Sequence, residues 1–209
     1  MKSSLRCELS ADLIERVRVD VAVVTFFAGD RPLRGDAGRA DWRFCGRLSR
    51  LLLENRLSGA ADEAALFVTH GCMRAPLLLV CGLGEAQGFA PQRIRRAAEA
   101  LARRVQKLRL PAFALSPPGV WLEGVTLPEA AEATLIGVAA ALQESGFAEQ
   151  LSLLVQDARG VVERRLAAAR ERLATNGFTF ELASPAGEVT LSTAAGRLPR
   201  RSAVVPASR

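Results

Sequence analysis

Residues 77–89, LLLVCGLGEAQGF, decide the reading of the fold: an uninterrupted apolar run ends in Gly82 and Gly84, and an amphipathic helix opens at Pro91. Strand, glycines and helix in that order describe a βα unit, and in some such units the glycine turn cradles a phosphate at the helix N-terminus. A dinucleotide fingerprint has the spacing G-x-G-x-x-G because each glycine relieves a separate steric conflict. Here the third glycine is Gly88, one residue late, and Glu85 would set a negative charge beside the phosphate. Several residues also part the pair from the helix, whose dipole is then not aimed at the turn. No acid ends the next apolar run, AFALS (112–116), to hold a ribose. The residues favour a turn in which glycine permits positive φ and close packing. A nucleotide pocket at Gly82 and Gly84 stands as the alternative.

Outward from this stretch the chain alternates strand and helix. RVDVAVVTFF (18–27) is apolar and β-branched almost throughout, the pattern of a strand covered on both faces, and is expected to be the first strand. RADWRFCGRLSRLLLEN (39–55) places Ala40, Phe44, Leu48, Leu51 and Leu52 on one helical face. EAALFVTH (63–70) and APLLLVC (75–81) read as neighbouring strands. From Pro91 to Leu108, Ile94, Ala97, Ala98, Leu101, Val105 and Leu108 form a single stripe, with proline at a favoured first position. AFALS is a short strand stopped by Pro117 and Pro118. An Ala-rich helix (127–144), a strand LSLLVQD (151–157) and a helix (161–174) follow. The expected fold is a three-layer α/β/α domain with a largely parallel or mixed sheet over residues 1–177. Period-two alternation in FTFEL and EVTLS predicts a small hairpin or edge strands over 178–193, and 194–209 lack periodicity and read as a tail.

A chain of 209 residues with 49% hydrophobic and 24% charged side chains is long enough and apolar enough to bury a core, which excludes a disordered class. The apolar stretch 133–142 is about half the length that a membrane crossing needs, and the N-terminus carries charges where a secretory signal would be apolar. A cytoplasmic protein is expected. Cys7, Cys45, Cys72 and Cys81 form no C-x-x-C pair, so buried free thiols are expected, with a distant disulfide left open. His70 is the only histidine; on an extended chain it would share a face with Cys72, but no third group is evident to orient such a pair. Neither G-x-S-x-G nor a Walker loop occurs.

Read together, VDVAVVTFF, GRADWRFCGRLSRLLLENRLSGAADEAALFV and APLLLVCGLG, followed by the helix from Pro91, resemble the N-terminal domain of the leucine (cytosol) aminopeptidases over residues 15–175. The resemblance implies a macro-domain-like fold. It also implies that the family's two metals, held by a lysine, aspartates and a glutamate, belong to a separate catalytic domain. GDAGRAD (35–41) and TAAGRL (193–198) echo part of a metal motif without its acid pair, so no catalytic residue, metal ligand or cofactor is assigned. Asp20 takes a place like that of the adenine-binding aspartate of macro domains, which adds it to Gly82 and Gly84 in the nucleotide or ADP-ribose alternative. The leading expectation is a non-catalytic binding or assembly module that associates with itself or with a full-length aminopeptidase.

A second alternative lies on the helix from Pro91. Arg93, Arg96, Arg103, Arg104 and Lys107 gather opposite the apolar stripe, with Glu99 the nearby acid, and the whole chain carries +6. Such a stripe attracts nucleic-acid backbones. Some bacterial aminopeptidases of the family bind DNA. The plainer reading is the polar outer face that any helix packed on a sheet must have.

Overall fold

The computed structural model describes residues 4–143, 148–155, 159–174 and 179–183. The strands are β1 (Ser4–Ser10), β2 (Val21–Phe26), β3 (Ala64–Val68), β4 (Leu77–Gly82), β5 (Ala112–Leu115), β6 (Ala148–Leu154) and β7 (Thr179–Ala183). The helices are α1 (Gly35–Arg43), α2 (Arg47–Leu53), α3 (Pro91–Leu108), α4 (Leu127–Gln143) and α5 (Arg159–Ala174). The strands form one sheet in the order β3-β4-β2-β5-β6-β1-β7. Every neighbouring pair is parallel except β3 and β4. This is the mixed three-layer α/β arrangement that the alternation of strands and helices implied.

Alternation along β2 separates two cores. Val21 and Val23 join Leu79, Phe113, Leu115 and Leu151 under α3, α4 and α5, where Leu101, Val105, Leu135 and Val162 close the layer. Ala22, Val24 and Phe26 face the other way, against Ala37, Ala40, Leu48 and Leu52 of α1 and α2. Strands buried on both faces need apolar residues at every position, which is why β2 and β4 read as continuous runs.

Two sequence expectations need correction. Residues 18–27 do not hold the first strand: β1 precedes it and inserts between β6 and β7. Leu5, Cys7 and Leu9 of β1 are buried, whereas Arg6 is exposed. The single helix expected over 39–55 is two, broken where Cys45 and Gly46 take left-handed conformations, with φ of 53° and 77°. Asp41 bridges the break, its Oδ1 accepting from the amides of Leu48 at 2.8 Å and Ser49 at 3.0 Å, so the first turn of α2 is capped from α1. Of the C-terminal pair, FTFEL overlaps β7, which runs parallel to β1. EVTLS, TAAGRL and the tail lie outside the described residues.

Candidate functional site

After β2 the chain turns to α1 on one face of the sheet, and after β5 it turns to α4 on the other. Because β2 and β5 are neighbours, the two departures open a crevice between them. Such switch points at the carboxyl ends of parallel strands are where open α/β sheets bind ligands. A cavity of about 310 Å³ occupies the crevice. Val23 and Thr25 of β2, Asp36 and Arg39 of α1, and Ser116 and Trp121 after β5 are among its walls. The six-membered ring of Trp121 stands over Gly35, where a Cβ would come within 3.3 Å of it. Trp121 in turn packs on Phe27, with ring centroids 6.0 Å apart, and Phe27 meets Phe89 edge to face at 4.8 Å.

The cavity carries both signs of charge. The Ser116 hydroxyl donates to the Asp36 carboxylate. Burial raises the Asp36 carboxyl above its usual range; the Ser116 hydrogen bond and the Arg39 guanidinium pull it back, and the Glu15 carboxylate adds to the rise. The indole Nε1 of Trp121 is buried and finds no hydrogen-bond partner among the described residues, which leaves a donor for a ligand. Asp36, Arg39, Ser116 and Trp121 were not singled out from the sequence, where they lie on two widely separated stretches.

The residues that were singled out fall elsewhere. Asp20 sits at the opposite, amino-terminal end of β2, where its carboxylate accepts from the Ala112 amide at 2.9 Å and ties β2 to β5. Gly82 backs onto Gly59 and Ala60, and the Gly84 amide donates to the Gly59 carbonyl at 2.9 Å. Arg93, Arg96 and Arg104 line a second cavity of about 370 Å³ together with Gly82, Leu83 and Phe89. Within it Arg93 donates to the carbonyls of Glu85 and Gln87, both at 2.8 Å, with its guanidinium over the Phe89 ring. Arg104 meets the Asp62 carboxylate at 3.1 Å. Arg96 is exposed. Arg103 pairs with Glu99 at 2.8 Å, and neither Arg103 nor Lys107 lines this cavity.

Nucleophilic chemistry finds little support in the described residues. All four cysteines are free, but only Cys7 and Cys81 are buried; Cys45 is exposed and Cys72 half-buried, which corrects the expectation for those two. Burial pushes the Cys7 and Cys81 thiols up to about 12, so both are protonated at neutral pH. His70 is not extended: it turns at φ 49° in the β3–β4 connection, where the Cys72 amide donates to the Thr69 carbonyl. Among the described residues, no three His, Cys, Asp or Glu side chains stand together so as to hold a metal, so the two-metal site does not fit them. No helix in them is long and apolar enough to cross a membrane.

Comparison with known proteins agrees with this geometry. Residues 23–145 match the N-terminal domain of the cytosol aminopeptidase family. A probable cytosol aminopeptidase of Streptomyces coelicolor is 32% identical over 130 residues, which span 57% of this chain and 25% of that protein. Among solved structures, a mutant tomato leucine aminopeptidase superposes with a TM-score of 0.63 at 15% identity, over 83% of this chain and 37% of that one. The Oceanobacillus iheyensis macrodomain with ADP gives 0.62 at 12% identity, over 78% and 91% respectively. At such identities the two superpositions speak for the fold alone. The matched stretch covers more than half of the chain, from β2 through α4, and on that ground the chain belongs to the cytosol aminopeptidase family through its N-terminal domain.

Proposed function

We propose that this chain is a binding module that takes a small molecule in the crevice between β2 and β5 and contributes no peptidase chemistry of its own. The observation that supports it is the cavity at the switch point, with a buried, unpaired indole donor and two oppositely charged side chains in or beside it. Related folds hold ADP and ADP-ribose, as the O. iheyensis macrodomain structures are titled, so a nucleotide diphosphate is the first ligand to test. Asp36 makes that ligand a poor fit as the protein stands, because a carboxylate in the crevice opposes a diphosphate.

Calorimetric titration with ADP-ribose is therefore expected to show weak binding. Asp36→Asn, which removes the opposing charge, is expected to strengthen it about tenfold, the scale of one unit charge acting at short range through partly solvated protein. The same preparations, given manganese or zinc, should release no amino acid from leucyl peptides. Heat from neither protein would rule out the nucleotide ligand, and peptide hydrolysis proportional to protein concentration would end the non-catalytic reading. Association with a full-length aminopeptidase or with a second copy is compatible with this role.

A second reading rests on the cavity of Arg93, Arg96 and Arg104. Three arginines lining one concave surface suit a phosphate backbone better than a stripe spread around a helix. Because Arg93 and Arg104 already bond to protein acceptors, Arg96 has the most freedom to act. Duplex DNA retention is expected to fall steeply between low and moderate salt, and Arg96→Glu to weaken it about tenfold or more. Retention that ignores both changes sinks this reading.

A further inference from the structure

The sheet ends on β3, and among the described residues no strand pairs with that outer edge. The Glu63 carbonyl accepts from the Gly82 amide at 3.0 Å, and the Thr69 amide donates to the Pro76 carbonyl at 2.9 Å. In this antiparallel register, residues 63, 65, 67 and 69 therefore turn their backbone groups toward β4. Ala64, Leu66 and Val68 turn theirs past the edge of the sheet. Their side chains share one face and are exposed, Leu66 at 46% and Val68 at 53%. Edge strands of stable monomers are usually guarded by a lysine, a proline or a bulge. The five residues of β3, AALFV, include no charge and no proline, and their pairing with β4 runs without a bulge.

On the opposite face a groove of about 660 Å³ runs between β3 and α2. Phe44 and Phe67 pack edge to face in its wall, with centroids 6.1 Å apart. Arg47, Arg50 and Arg56 surround it with Glu54 as the acid among them. The Arg47 guanidinium lies over the Phe67 ring at 5.6 Å, and Arg56 approaches Glu54 only to 3.7 Å. The groove is thus apolar at its base and positive at its rim.

We infer that β3 is the docking edge for an extended segment of another protein in which acidic and apolar residues alternate. A strand laid against Ala64, Leu66 and Val68 sends successive side chains to opposite faces of the sheet. Those on the α2 side meet the three arginines, and those on the other side cover Leu66 and Val68. Main-chain bonds to the free edge supply affinity, and the alternation supplies selectivity. A second copy of this chain is a poorer occupant: its β3 brings no acid, its own arginines come with it, and each chain carries +6.

The test uses a labelled, end-blocked peptide of about seven residues alternating valine and glutamate, titrated against the whole chain by fluorescence anisotropy. Leu66→Pro removes an outward N–H that β4 does not use, so the sheet should persist while affinity falls at least about tenfold. The double variant Arg47→Glu, Arg50→Glu should lose as much and come to prefer the valine–lysine peptide. Methylating alternate amides of the peptide asks the same question from the ligand side, should Leu66→Pro fail to fold, and it too should abolish binding. Failure of the valine–glutamate peptide to bind, equal binding of the lysine peptide to the unaltered protein, or indifference to N-methylation would each overturn the proposal. A concentration-dependent dimer that Leu66→Pro dissolves would overturn it in favour of a second copy.

Discussion

Gly82→Ala is expected to destabilise the protein by about 3 kcal/mol, the upper end of what overpacking costs, and to lower Tm by roughly 6–12 °C. The cause is backbone against backbone. A Cβ at this position would overlap the Ala60 carbonyl oxygen and stand 2.6 Å from the Gly59 carbonyl carbon. Neither is the end of a flexible side chain, so neither can swing aside. Relief would require the 59–61 segment to leave the end of β4, breaking the Gly84-to-Gly59 hydrogen bond. Gly29→Ala is the control, since nothing lies within 4 Å of its added carbon and its φ is not positive; a change within about 0.5 kcal/mol is expected. Thermal unfolding of the two variants settles the point. If Gly82→Ala proved as stable as the unaltered chain, close packing would not be the reason for glycine here, and the phosphate-cradle reading would regain its standing.

The other large effect is at Phe27, which is fully buried where β2 gives way to the crevice. It supports Phe89 on one side and Trp121 on the other, and its amide donates to the Asp30 carboxylate at 2.9 Å. Truncating a buried phenylalanine leaves a cavity as well as losing its transfer free energy. Phe27→Ala should therefore cost about 4 kcal/mol, roughly 8–16 °C in Tm. Phe27→Leu, which keeps most of the volume but loses the edge-to-face geometry, should cost about half as much. Because Trp121 lines the crevice, its fluorescence should report the change at temperatures where both variants are folded. Emission identical to that of the unaltered chain would mean that Phe27 does not hold the wall of the site.

What the sequence disclosed and what it hid follow from how each signal arises. Helix α3 was legible to its ends because Pro91 sits at its first turn, Ile94, Ala98, Leu101 and Val105 are all buried, and the chain leaves through Arg109 in a left-handed conformation. Strands β2 and β4 were legible because burial on both faces writes an unbroken apolar run. Strand β1 buries Leu5, Cys7 and Leu9 but exposes Arg6, so its signal is a weaker alternation, present in the sequence but easily passed over. The break between α1 and α2 was hidden because the apolar face continues through it: Ala40, Leu48 and Leu52 are all buried, and only Gly46 marks the interruption.

The candidate site was least legible. Its walls come from β2, α1, the β5–α4 connection, Leu127 of α4 and Leu154 of β6, and they meet only because β5 lies beside β2. Strand order is not a property of any local stretch. The glycine pair attracted notice through a composition that binding turns share with packing turns, and the distinction rests on what stands opposite each missing Cβ. The basic residues of α3 were all visible, yet only the fold divides Arg93, Arg96 and Arg104, which line a cavity, from Arg103 and Lys107, which do not.

The position of β1 bears on how the molecule is made. Strand β1 precedes β2 to β5 in the sequence, yet among the described residues its partners are β6 and β7, which follow them. Its apolar side must therefore wait until β6 has been made, while β2 to β5 can already assemble around α3. This domain is thus expected to fold in two steps, with β1 captured last, and the waiting interval is when a chaperone has most to shield.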